Sequence, residues 1–230
     1  KKAQKIEINL IQREVPYLPL STRRSFIDSL GYGNQIVFSN DFENTSKKQL
    51  ALFNRLNRKG LLEEIEKKQS LLASLAGPQQ NVVDQLRIIN QKISNIGVND
   101  KQRQLLKAKK EKLEKELYRS LPDLKPRIVE INDVARVMSL DSVLIEFQRY
   151  QPRINLVLEP ARYLAMVLDP SKKERDESGR WSNYKIHAID LGLAEPLEQK
   201  INQALIASEQ SSKEEAELRW KEIGELVIKP

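Results

Sequence analysis

Apolar residues in the middle of the chain recur at helical spacing. Leu50, Phe53, Leu56 (or Asn57), Leu61, Ile65, Leu72 and Leu75 fall at three-, four- and seven-residue intervals. That spacing gathers them on one helix face, and the turn-forming stretch "AGPQQN" (76–81) ends it. A second stripe, Val82, Leu86, Ile89, Ile93 and Ile96, stops at Gly97. A third, Leu106, Leu113 and Leu117, runs from a cap at Asn99 or Asp100 to "LPDLKP" (121–126). Stripes this narrow predict antiparallel coiled-coil pairing, so 46–121 reads as a long helical hairpin. One residue disagrees with the pattern. Gly60 lies inside the first stripe, where glycine costs roughly 1 kcal/mol relative to alanine. A close backbone approach or a local kink accounts for it, and Gly60→Leu is expected to destabilise the fold.

The period changes after residue 121. "DSVLIEFQRY" (141–150), "RYLAMVLD" (162–169) and "YKIHAIDL" (184–191) are short, rich in branched and aromatic residues, and predict strands. The charged connection "DPSKKERDESGRWSN" (169–183) is long for a hairpin and reads as a mobile projecting loop. Helices follow: "AEPLEQKINQALIAS" (194–208) with Pro196 in its first turn, and "SKEEAELRWKEIGELVI" (212–228) opened by a Ser212/Glu215 capping box. Ahead of the hairpin, 1–45 reads as a mostly helical lead-in broken by Pro16 and Pro19, with a short helix between Ser21 and Gly31 and an ambiguous "NQIVFSNDF". The predicted class is α+β: a long antiparallel helical hairpin, then a small sheet with flanking helices.

Composition narrows the chemistry. None of the 230 residues is cysteine, which excludes disulfides, thiolate metal sites and a cysteine nucleophile within this chain. The first residues form no signal peptide and no apolar run is long enough for a bilayer, so a soluble, cytoplasmic protein is expected. The Lys1 start and the "GELVIKP" end read as those of a piece of something longer. Net charge is +7, and the stretch 101–119 holds eight Lys/Arg against three Glu. Lys107, Lys109 and Lys110 sit there around the leucine stripe, as the outer positions of a coiled coil do. Nucleic-acid binding by that stretch is a weaker reading, because Tyr118 is its only aromatic.

No motif for catalysis, metal or nucleotide binding emerges, and no cofactor is called for. His187, the only histidine, shares a strand face with Lys185 and Ile189 and lies near no nucleophile elbow. Asp169, Asp176 and Glu177 are interleaved with Lys172, Lys173, Arg175 and Arg180, a pattern unlike a calcium loop. "GYG" (31–33) is a single turn.

The order of these stretches carries a resemblance. "LNRKGLLEEIEKKQSLLASL" (56–75), with Arg58, Lys59 and Gly60, resembles the segment that opens CHAT domains, the caspase-like proteases that accompany tetratricopeptide repeats in bacteria. Val143 to Phe147 resemble that family's first strand, and "ARYLAMVLDP" (161–170) its next. "IHAIDLGLAEPLEQKINQAL" (186–205) resembles the strand that passes through an Asp-Leu-Gly turn, here Asp190, Leu191 and Gly192, into a helix. The lead-in "REVPYLPLSTRRSFIDSLGYGNQIVFS" is similar to the joint with an upstream repeat array. The family's catalytic histidine and cysteine belong to later stretches that this chain does not contain, and His187 does not match the histidine's context. The resemblance thus implies a non-catalytic front portion: a lead-in (1–45), a hairpin (46–121) and the first strands and helices of a caspase-like domain (122–230). Its implied partners are proteins: the catalytic remainder, the repeat array, a substrate or an activator, and further copies of the chain through an exposed sheet edge. A stand-alone coiled-coil scaffold is the alternative.

Overall fold

A computed structural model of the chain describes residues 1–30, 36–39, 42–74, 77, 80–94, 99–120, 127–154 and 157–228. Its helices are α1 (Lys2–Glu14), α2 (Leu20–Ser29), α3 (Thr45–Arg58), α4 (Leu61–Ser74), α5 (Gln80–Ser94), α6 (Asp100–Ser120), α7 (Ile131–Val137), α8 (Ala194–Gln210) and α9 (Lys213–Ile228). A 3-10 turn, Val15–Tyr17, follows α1. The strands are β1 (Leu144–Tyr150), β2 (Arg153–Ile154), β3 (Val157–Leu158), β4 (Arg162–Asp169), β5 (Glu174–Arg175), β6 (Trp181–Ser182) and β7 (Lys185–Leu193). The fold is α+β. Leu75, Gly97 with Ile96, Gly31 and "LPDLKP" lie outside the described residues, as do parts of "AGPQQN" and "NQIVFSNDF".

The chain forms two compact units, each built from two separated segments: Lys1–Gly31 with Asn57–Ile128, and Tyr32–Leu56 with Val129–Pro230. This division cuts across the zones 1–45, 46–121 and 122–230 expected from the pattern. The stripe read as one helix from Leu50 to Leu75 is two, α3 and α4, and most of α3 belongs with the sheet. The break is Gly60, whose φ of +67° is a left-handed conformation that ends α3. The Gly60 carbonyl accepts from the Glu64 N–H at 2.8 Å and so starts α4 in the same turn. A Cβ on Gly60 meets nothing within 4 Å, so the close approach expected of it is absent and the kink alone explains it.

The first unit is helical. Ile11, Val15, Leu61 and Ile65 form a core on which Phe26, Ile27, Leu30 and Leu62 pack, which joins α1, α2 and α4. The helical hairpin is α5 with α6, held by Leu117 and Tyr118 against Val82, Val83 and Leu86. Asn99 is its second-arm cap: the Oδ1 accepts from the Gln102 N–H at 2.9 Å. Glu114 and Glu111, one turn apart on α6, serve the start of α2, accepting from the Leu20 N–H at 3.1 Å and the Ser21 hydroxyl at 2.7 Å respectively. Negative charge at a helix N-terminus is favourable because the first N–H groups lack intrahelical partners.

The second unit is a three-stranded antiparallel sheet of order β1-β4-β7 with helices on it. Registers include Phe147 opposite Ala165 and Val167 opposite His187. Alternation places Leu164, Met166 and Leu168 of β4 and Ile186 of β7 on one deeply buried face. Arg55 of α3 reaches β1, pairing with Glu146 and donating to Gln148 Oε1, each at 3.2 Å. From α8, Glu198 accepts from Arg149 at 2.7 Å and from the Tyr163 hydroxyl at 3.2 Å, which ties the helix to β1 and β4. The capping box of α9 is half formed: Ser212 Oγ accepts from the Glu215 N–H at 3.3 Å, while the Glu215 carboxylate turns to Arg219 at 2.9 Å.

Candidate interaction site

The stretch 169–183, read from sequence as a mobile loop, is a folded hairpin. β5 and β6 pair as Glu174 opposite Ser182 and Arg175 opposite Trp181. Asp176 organises the turn: its Oδ1 accepts from the N–H groups of Ser178 and Arg180, each at 2.9 Å, and from the Ser178 hydroxyl at 2.6 Å. Gly179 completes it at φ +85°, the left-handed residue that follows a tight turn in a three-residue hairpin loop. These hydrogen bonds, the Ser178 hydroxyl foremost, bring the Asp176 carboxyl down to a pKa of about 2.

The hairpin clasps the start of α3. Glu177 accepts from the Thr45 N–H and from the Ser46 hydroxyl, each at 2.6 Å. Those contacts, led by the Ser46 hydroxyl, hold the Glu177 carboxyl below its ordinary value. Lys48 pairs with Glu174 at 3.6 Å, and Gln49 Nε2 donates to Ser182 Oγ at 3.1 Å. Glu174, Asp176 and Glu177, among the charges of the expected loop, are thus used in contacts.

His187 is half-buried on β7. Burial lowers its pKa, and Lys185, Lys172 and Lys48 lower it further, so at neutral pH the imidazole is uncharged. Among the described residues no group of three or more His, Cys, Asp or Glu is placed to hold a metal ion. No described helix is long and apolar enough to cross a membrane.

The residues singled out from sequence do not converge. Arg58 ends α3 and pairs with Glu7 of α1. Lys59 is exposed in the turn beside Gly60. On α6, Lys107 and Lys109 are exposed and Lys110 pairs with the buried Glu114 at 3.8 Å. Gly192, at φ +90°, sits where the β4–β7 register shifts, and a Cβ there meets nothing within 4 Å. Its N–H donates to Asp190 Oδ1 at 2.9 Å, and Asp190 pairs with Arg162 of the neighbouring strand at 2.6 Å. The Asp-Leu-Gly turn is therefore a strand irregularity that delivers the chain into α8.

What the unit offers a partner is strand edge and apolar surface. β7, nine residues long, has β4 on one side and no strand on the other among the described residues. Leu193, Leu205, Ile206, Leu218 and Trp220 are each at least 40% exposed on and after it. A cleft of about 500 Å³ opens beside α7, lined by Asn132, Arg136, Met138, Leu140, Lys173 and Asn183. No family model matches the chain, and no curated protein or solved structure matches it.

Proposed function

We propose that this chain is the non-catalytic front part of a CHAT-type, caspase-like cysteine protease, where it supports the protease sheet and mediates protein–protein contacts. The observation that supports the reading best is the sheet itself. Its three strands, β1, β4 and β7, coincide with the three stretches that carry the resemblance, and β7 leads through Asp190 and Gly192 directly into α8. An edge strand without a partner is a template for a further strand, which is what a supporting half presents to its catalytic remainder. With no cysteine, the chain cannot by itself make the thiolate attack of that family. Its proposed partners are that remainder, an upstream repeat array, and a substrate or activator, in the cytoplasm.

A stand-alone helical scaffold is the second reading. It draws on the α5–α6 hairpin, where Ile88 and Leu105 are 49% and 65% exposed.

The test is to read the coding frame past Pro230, express the extended chain beside this one, and assay both for peptide cleavage sensitive to thiol alkylation. Activity confined to an extended chain that carries a histidine and a cysteine supports the protease reading. A stop codon, or an extension lacking that pair, overturns it. Sedimentation of the present chain adds a second readout: concentration-dependent self-association is expected from the open edge, and Lys substituted at Ala188 and Asp190 of β7 should reduce it.

A further inference from the structure

Arg23 and Gln69 of the first unit each carry an atom with unmet hydrogen-bonding capacity. Arg23 Nη1 and Gln69 Oε1 are buried with no partner among the described residues. Neither side chain is near the surface: Arg23 is 0% exposed and Gln69 3%. Both converge on one acceptor, since Arg23 Nη2 donates to the Pro16 carbonyl at 3.2 Å and Gln69 Nε2 donates to the same oxygen at 2.7 Å. Arg23 Nε donates to the Leu18 carbonyl at 3.0 Å, which fixes the guanidinium plane. One orphan is therefore a cationic donor and the other a neutral acceptor. Native interiors seldom leave such groups unpaired.

A carboxylate approaches Arg23 Nη1 as well. Glu66 Oε1 lies 4.0 Å from Arg23 Nη1, too far for a direct hydrogen bond and close enough for one bridging atom. Glu66 and Gln69, three residues apart on α4, share a helix face. We infer that a single internal water binds between Arg23 Nη1, Gln69 Oε1 and Glu66 Oε1. It accepts from the guanidinium and donates one hydrogen to the amide oxygen and one to the carboxylate. Three bonds is the ordinary complement of a buried water, and both of its hydrogens are used. The ligand class follows from the donor set. An anion satisfies Nη1 but meets two oxygens that repel it, and a cation meets the guanidinium. Only a group that accepts once and donates twice matches all three. Glu66, 40% exposed, forms the side through which the water exchanges.

The bridge completes a polar lock on the turn between α1 and α2, where Arg23 donates to the Pro16 and Leu18 carbonyls and Gln69 to that of Pro16. Oxygen-17 relaxation dispersion on the full chain, with a crystal structure fine enough to show ordered water, tests it. The expected result is density within 3.2 Å of all three atoms (the upper end of ~2.7–3.2 Å hydrogen bonds) and one long-lived water fewer in Gln69→Met. A direct Arg23–Glu66 contact with no density, or an unchanged dispersion amplitude in a folded Gln69→Met, overturns it. Glu66→Ala, at a half-exposed position, covers the case in which Gln69→Met does not fold. The water's residence time should shorten in that variant, and an unchanged residence time also overturns the three-partner site.

Discussion

The backbone N–H of Thr45 donates to the carboxylate of Glu177 at 2.6 Å, across 132 positions of sequence. One carboxylate thus holds the first N–H of α3, beside the Asn44 Oδ1 that accepts from Ser46 and Lys47, and anchors the β5–β6 hairpin. Glu177→Ala is expected to release both together. Hydrogen exchange at the Thr45 amide should quicken, and proteolysis within 169–183 should rise, while the amides of Ser46 and Lys47, which donate to Asn44 Oδ1, and those of β4 keep their protection. Protection unchanged at Thr45 would sink the clasp.

Acid should open the same hairpin. The folded pKa of Asp176 is depressed to about 2 and that of Glu177 is also lowered. A depressed folded value stabilises the turn above the unfolded pKa, near 4. That stabilisation then fades as pH falls toward 2. Trp181 on β6 reports it if Trp220 is replaced by Phe, since these are the two tryptophans of the chain. Its fluorescence should hold to about pH 4 and change as the pH drops toward 2. A transition centred well above pH 4 would contradict the assignment.

Gly60→Ala and Gly60→Leu should each cost about 1–2 kcal/mol in urea unfolding, and nearly the same amount. The left-handed φ imposes the penalty, and the open space around the Cβ position adds no size dependence. Gly60→Asn should cost less, because asparagine tolerates that conformation. A far larger loss for Leu than for Ala would restore crowding as the cause.

Arg23 stacks over the Tyr118 ring, 4.5 Å from the ring centroid. Arg23→Met removes the cation and its hydrogen bonds to two carbonyls, and should cost about 3 kcal/mol or more. Tyr118→Phe keeps the ring face and should cost about 1 kcal/mol or less. Burial, ahead of the neighbouring charges, raises the Tyr118 pKa to about 12. A raised value favours the neutral phenol: its stabilisation is complete below pH 10, the ordinary tyrosine value, and is lost as pH rises through about 12. Absorbance at high pH should therefore show a late tyrosine step that is missing in Tyr118→Phe.

The elements legible from sequence are those whose signal is local. Branched and aromatic residues at 162–169 give β4 at its observed ends, and the Ser212 start and Pro196 placement give α9 and α8. Asn99 was one of two candidate caps, and the helix chose it. What pattern reading lost depends on partners distant in the chain. The spacing from Asp176 to Gly179 is a turn signature, but its dense charge masked it, because the carboxylates are satisfied by Thr45, Ser46 and Lys48. Arg23 in "STRRSF" reads as surface, and nothing local reveals that Pro16, Leu18 and Tyr118 enclose it. The α3–α4 stripe keeps helical periodicity across Gly60, so only the sign of φ divides it into two helices.

That division constrains synthesis on the ribosome. α3 leaves the exit tunnel ahead of its partners, for the hairpin that caps it ends at Ser182 and the last strand of its sheet at Leu193. At roughly 5–20 residues per second, the helix waits on the order of ten seconds for that hairpin and strand. The first unit, whose second segment ends at Ile128, closes before the other has all its strands. Vectorial folding therefore runs out of sequence order, and a nascent chain stalled between residues 130 and 180 should be the form that chaperones hold.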